Sequence, residues 1–262
     1  KMSELIKKHL LEDVPVVYFD LETTDADPDY CRTVTLSACS NGVWKSWLFD
    51  PCILISPGAS KVHGYIDIDV IGKPKFSDCV QDIYPLFDRA YWCAYNGHAF
   101  DFKIIKREFE LAGHKQPVSL GKIDPYRIFL KYCGKAGRGQ RTLSAAYRHY
   151  CQKEIVNAHD AKADTSAMIE ILHSQIAVHG IKDMDTLIEA SVFYDRKVDK
   201  KGFFIFKGRS LMACSGFGRF SGMPMNQIPA SYYKWMIAGN FPDDVKEIAK
   251  KALMGYFPRR PI

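Results

Sequence analysis

The pair Asn41-Gly42 constrains this chain more than any other feature, because it sits between two runs of strand-forming residues, Thr33–Ser40 and Val43–Phe49. Both residues accept the positive φ of a type I′ turn, whose twist matches that of the strands it joins. A third β-rich run, Pro15–Leu21, precedes them, so the first part of the chain predicts an antiparallel meander. The pattern then changes period. Phe76, Val80, Ile83 and Phe87 recur at helical spacing within Phe76–Arg89. Tyr91–Tyr95 reads as a strand, Ala99–Ala112 as a helix stopped by Gly113, and Lys122-Ile123-Asp124 as a short fifth strand. Helices over Thr142–Tyr150 and Ala161–His179 follow, the last ended by Gly180. A meander followed by alternating helices and strands implies an α/β fold whose sheet has mixed direction.

The chain has 262 residues, 47% of them hydrophobic and 25% charged, enough for a main domain with a smaller appendage. Residues 1–180 are expected to form the main domain, 181–200 a partly helical connection and 201–262 a small basic domain. The net charge of +6 is uneven: from Asp195 onward there are 13 Lys and Arg against 5 Asp and Glu. A polyanionic partner suits that surplus, and solvated surface lysines are its plain alternative. No run approaches the roughly 20 apolar residues of a membrane span, and the N-terminus lacks a signal-like apolar stretch. The expectation is a cytoplasmic protein without membrane contact. Eight cysteines, Cys31, Cys39, Cys52, Cys79, Cys93, Cys133, Cys151 and Cys214, show no CxxC pair and are read as small buried thiols.

Chemistry is carried by four acids and one histidine. Asp20 and Glu22 lie two apart at the end of the first strand, so they point the same way, about 7 Å apart along the backbone. Like charges that close need a proton or a cation between them. Asp101 shares a helical stripe with Ile105, Phe109 and Ala112, and Asp164 shares one with Met168, Ile171 and Gln175, so both aim inward. Each acid alone has a bland reading as a strand-end, helix-start or surface carboxylate. Together they call for a shared compensator, and a pair of divalent cations supplies it, the arrangement of two-metal phosphodiester hydrolysis. His159 lies five residues before Asp164, and the unperturbed pKa of a histidine side chain suits it to take a proton from the attacking water.

These three segments, Asp20-Leu21-Glu22, Asn96-Gly97-His98-Ala99-Phe100-Asp101 and His159-Asp160-Ala161-Lys162-Ala163-Asp164, resemble the exonuclease motifs of the DEDDh (DnaQ-like) 3′→5′ exonuclease family. The resemblance spans about residues 14–180. It implies a ribonuclease H-like fold with a mixed five-stranded sheet, and release of nucleoside 5′-monophosphates with two Mg²⁺ or Mn²⁺. It further implies that Asp20, Glu22 and Asp164 hold one ion, that Asp20 bridges to the second with Asp101 assisting, and that His159 is the general base. Thr23, Thr24, His63, Tyr65 and Asn96 would contact the terminal nucleotide; Ile55–Ala59 and His63–Ile66 are similar to the family's stretch beside it. Thr142-Leu143-Ser144 matches the start of the helix before the third motif. Asp25 stands where many members carry Gly, and the Asn96-Gly97 form is more like the three-prime repair exonucleases than bacterial proofreading subunits.

The segment Phe217-Gly218-Arg219-Phe220-Ser221-Gly222-Met223-Pro224-Met225, continued by Tyr232-Tyr233-Lys234-Trp235, resembles the small C-terminal domain of exodeoxyribonuclease X-like proteins. Arg219 and Met225 replace the usual Lys and Leu. Trp235 is expected in that domain's core, with its basic residues exposed for phosphate contact. Gly134–Arg141 is a basic loop that could touch a nucleic-acid backbone or merely connect. Asp25–Asp29 imitates a calcium loop but has Tyr30 and Leu36 where Gly and Glu belong. The expectation is a DNA 3′-end exonuclease acting on single strands or frayed ends. An exoribonuclease, a polymerase proofreading subunit, and a non-catalytic nucleic-acid-binding protein are the alternatives.

Overall fold

The structure, a computed structural model, describes residues 10–11, 14–133, 141–156, 160–192, 198–199, 201–207, 210–213 and 220–257. The chain divides into two compact units, residues 1–192 and 193–262.

In the first unit, β1 (Val16–Thr23), β2 (Thr33–Ser40), β3 (Val43–Leu48), β4 (Ala90–Cys93) and β5 (Ser119–Ile123) form one sheet in the order β3-β2-β1-β4-β5. The first three are antiparallel, and β4 and β5 run parallel to β1. This is the mixed five-stranded, ribonuclease H-like sheet. Asn41 and Gly42 both have positive φ, at 49° and 75°, as the hairpin turn requires.

Helices cover both faces. On one, Val17, Phe19 and Leu21 pack against α3 (Phe76–Phe87) and α4 (Asp101–Leu111) through Ile83, Phe87, Phe102, Ile105 and Phe109. On the other, Val16, Tyr18 and Cys39 meet Met168, Leu172 and Ile176 of α7 (Ala161–Val178). Period two in the strands thus meets period 3.6 in the helices, and the apolar stripes close on each other.

Several elements depart from the expectations. Two short helices, α1 (Pro57–His63) and α2 (Asp67–Val70), fill the connection after β3, and α5 (Pro125–Cys133) follows β5 directly. α6 (Leu143–Cys151) begins as expected, with Thr142 accepting a cap bond from the Ala145 N–H at 3.2 Å. Within the stretch expected as a partly helical connection, α8 (Met184–Ser191) buries Leu187 and Ala190 in the core beneath the sheet. A Cβ at Gly121 of β5 would lie 2.6 Å from Ile188 Cδ1 and 3.1 Å from Tyr91 Cδ1, so a larger residue there would have to push these side chains aside. Cys52 is exposed, against the expectation that the thiols are buried, whereas Cys31, Cys39 and Cys93 are enclosed. Cys214 and the loop 134–140 lie outside the described residues.

The second unit pairs β6 (Phe204–Lys207) with β7 (Ser210–Ala213) and packs α9 (Ala230–Ala238) on α10 (Asp243–Leu253). Its core holds Phe204, Met225, Tyr233, Met236 and Val245. The expectation for Trp235 is corrected. Tyr233 and Met236 occupy the buried stripe of α9, and Trp235 turns outward at 53% exposure. It stands between Tyr232 and Phe241, each with ring centroid 5.2 Å away.

No helix among the described residues is long and apolar enough to cross a membrane.

Candidate active site

Asp20 and Glu22 sit within β1, on the sheet face that α7 covers. Asp160 caps α7, its Oδ1 accepting the Ala163 N–H at 2.9 Å, and Asp164 falls in the first turn. One carboxylate oxygen each from Asp20, Glu22 and Asp164 lie within 4.8 Å of one another. The convergence has an electrostatic cost. Burial, then the charges of Asp101, Glu22 and Asp164, push the Asp20 carboxyl well above its ordinary range. Glu22 is pushed up to about 8 by burial and by Asp164, Asp101 and Asp160. Asp101, the first residue of α4 and only 4% exposed, rises to about 7, mainly through burial. Oxygen donors of one sign, crowded and partly removed from water, are the donor set of a hard divalent cation, and the residues fit one.

The surroundings of these carboxylates are built to hold them. Asp124, fully buried at the end of β5, accepts the backbone N–H groups of Asn96 at 2.9 Å and His98 at 3.2 Å, and pairs with Arg127 at 3.4 Å. It therefore shapes the turn between β4 and Asp101. Gly97 lies in that turn, where a Cβ would meet Phe102 Cζ at 2.7 Å and Ala94 Cβ at 2.8 Å. From α4, Glu108 receives Arg32 Nε at 3.0 Å, Arg32 Nη2 at 3.0 Å and the Thr33 N–H at 2.8 Å. Arg107 donates to the carbonyls of Pro28 and Cys31. The loop leaving β1 is thereby clamped onto the helix that carries Asp101.

The residues expected to touch substrate are placed less uniformly. Thr23 and Thr24 are buried; the Thr23 hydroxyl donates to Asp25 O at 2.8 Å, and the Thr24 hydroxyl accepts the Arg32 N–H at 3.0 Å. Both hydroxyls thus shape the loop. His63 Nε2 lies 3.1 Å from Thr23 O and its Nδ1 accepts the Tyr65 N–H at 3.1 Å, so the ring is neutral, with the proton on Nε2. Burial lowers its pKa accordingly. With both nitrogens engaged, His63 presents its ring face, 5.6 Å from the Tyr65 ring. Asn96 is half-buried in a left-handed conformation, φ 58°. His159 lies outside the described residues.

A cleft of about 330 Å³ adjoins these groups, lined by Thr35, Ser37 and Ser46 of the sheet, His63, Tyr65, and Asp160 to Lys162 of the α7 start. Reading the sequence singled out none of Asp124, Glu108, Thr35 or Ser37. For Asp124 a signal existed, since it ends an apolar strand as Asp20 does. The others take meaning only from which elements the fold brings side by side.

The RNase T family model, described as Exonuclease, matches residues 17–172. The chain belongs to that exonuclease family. It is a DnaQ-like nuclease, in a family whose members depend on divalent metal. DNA polymerase III subunit epsilon of Treponema pallidum (strain Nichols) is 27% identical over 173 residues, 64% of this chain and 79% of that one. Among solved structures, the zinc ion bound E. coli ExoI–ssDNA complex aligns with TM-score 0.53 at 18% identity, over 63% of this chain and 41% of its own. Exonuclease X in complex with 5′ overhanging duplex DNA aligns with TM-score 0.52 at 15% identity, over 68% and 99%. This exonuclease therefore spans about two fifths of the ExoI chain, and both structures share its fold.

Proposed function

We propose that this exonuclease removes nucleoside 5′-monophosphates from the 3′ ends of DNA, acting on single strands or frayed ends. The observation that carries the reading is the mutual approach of the Asp20, Glu22 and Asp164 oxygens within 4.8 Å, with Asp101 adding its charge. These four carboxylates would hold two Mg²⁺ or Mn²⁺. When bound, such ions offset charge on the phosphate and on the departing oxygen. Asp20 and Glu22 on β1 would present their oxygens together with Asp164 on α7, and Asp124 holds the turn that aims Asp101. His159 takes the proton from the attacking water as its oxygen bonds to phosphorus. The bond to the 3′-oxygen of the preceding nucleotide breaks with its electron pair going to that oxygen, which takes a proton from solvent water. His63 and Tyr65 would pack on the terminal nucleotide, with Asn96 and the backbone of Thr23 and Thr24 at its edge.

Support for DNA comes from the similar structures, which carry single-stranded and 5′-overhanging DNA, and from the basic surplus after Asp195. The second unit, residues 193–262, would grip the strand through Trp235 and its neighbouring rings. Likeness to a polymerase III epsilon subunit favours one second reading, a proofreading partner of a polymerase. End-labelled DNA and RNA, each incubated with Mg²⁺ and with EDTA, test the assignment. The expected result is mononucleotide release from the 3′ end of DNA, abolished by EDTA; release from the 5′ end, or none, contradicts it.

A further inference from the structure

We propose that Cys133 is a modification site, a nucleophilic thiol that forms a mixed disulfide with a small disulfide molecule, with His149 as its proton partner. The exonuclease chemistry leaves this part of the first unit unused. Three helices bring their C-terminal ends together there: Cys133 is the last residue of α5, His149 and Tyr150 lie in the final turn of α6, and His179 caps α7. Cys133 is partly exposed. Its Sγ lies 3.3 Å from His149 Nε2 and 3.2 Å from the Tyr150 hydroxyl, which in turn lies 2.9 Å from His179 Nε2. Among the described residues no other cysteine has an imidazole in hydrogen-bonding reach.

The sulfur stands where donors converge. Burial, then the bond to Cys133, push the Tyr150 hydroxyl above its ordinary range, so it stays protonated and can donate to sulfur. Burial, then the charge of His149, lower the pKa of His179. Neutral and stacked on Tyr132 with ring centroids 4.0 Å apart, His179 donates its Nε2–H to the Tyr150 oxygen. His149 is therefore the imidazole that takes the thiol proton. It is exposed, so water solvates the imidazolium, and the end of α6 favours its charge. Its ring is held against Phe129 and Tyr150, at 5.3 and 4.8 Å. Proton transfer leaves a thiolate facing two donors, His149 Nε2–H and Tyr150 O–H. Cys133 also ends a helix, where the dipole disfavours negative charge, so the thiolate depends on those donors. It attacks one sulfur of the small disulfide. A new S–S bond forms to Cys133, the old one breaks with its electron pair going to the departing sulfur, and that sulfur takes the proton from His149.

The test incubates the full chain with oxidised glutathione at neutral pH and times the adducts at Cys133 and Cys52 by peptide mass spectrometry. Cys52 is the internal reference, an exposed thiol whose Sγ meets the Asp50 carbonyl at 3.8 Å and no imidazole. An imidazolium partner raises the thiolate share while lowering its intrinsic nucleophilicity, so Cys133 should react about threefold to tenfold faster than Cys52, although it is the less exposed. His149→Gln should bring Cys133 to the Cys52 rate or below and leave Cys52 itself unchanged. Tyr150→Phe, which removes the other donor, should take away part of the advantage. In urea the two thiols should react alike. A Cys133 that reacts no faster than Cys52, a ratio that His149→Gln leaves unchanged, or an advantage that survives in urea overturns the proposal.

Discussion

Glu108 and Glu22 are acids of the same chemistry in the same unit, and their surroundings treat them oppositely. Glu108, 1% exposed, receives a forked Arg32 and a backbone N–H. Asp124 is intermediate: two N–H groups of the β4–α4 turn and Arg127 oppose its burial, yet burial still pushes it up to about 6. Around Glu22 the neighbours are Asp164, Asp101 and Asp160, and the carboxyl rises to about 8. The fold can neutralise a buried acid where the acid serves structure. Where it does not, the missing positive charge has to arrive from outside, and the cost to stability belongs to function.

The contrast can be broken most severely by Asp20→Asn. Turnover should fall about a thousandfold, roughly 4 kcal/mol of transition-state stabilisation, while the metal-free Tm rises by a few degrees. Steady-state kinetics and calorimetric melting on one sample measure both; a lower Tm would show that Asp20 was satisfied within the protein. Glu108→Ala should act in the opposite sense, lowering stability by about 2–4 kcal/mol in urea denaturation, because the Arg32 fork and the Thr33 N–H lose their acceptor. A loss under about 0.5 kcal/mol would mean that solvent already screens that pair. Trp235→Ala should have the smallest effect. Binding of a long single strand should weaken by about 1–2 kcal/mol, with the Tm nearly unchanged because the ring is exposed. A large fall in Tm instead would return the ring to the core.

Local signals were legible and cross-strand ones were not. The hairpin at Asn41-Gly42 is readable to the residue, since two positive φ values side by side demand that chemistry. Asp20, Glu22, Asp101 and Asp164 stood out because spacing within one strand or helix gives their direction. The helix α1 carried its own signal, Ser56 capping ahead of Pro57 at the first helical position, and reading the stretch only by family likeness passed over it. Glu108 shares a helix with Asp101, but its partner Arg32 is 76 residues away. Trp235 could not be told from Tyr233 by helical spacing alone, since the packing of Phe204 on β6 and of Val245 and Ala249 on α10 decides which stripe of α9 is covered.

Manganese-dependent melting across pH tests the central claim, that the acid cluster is completed by divalent cations. Glu22 titrates near 4.5 unfolded and about 8 folded, so between those values the unfolded chain holds fewer protons. Metal-free stability should therefore fall as pH rises from about 4.5 to 8. Saturating Mn²⁺ should remove that decline and raise Tm by several degrees at pH 8, about 3–6 °C, but much less at pH 5, and Glu22→Gln should flatten both curves. A Tm at pH 8 that Mn²⁺ leaves unmoved would contradict the account.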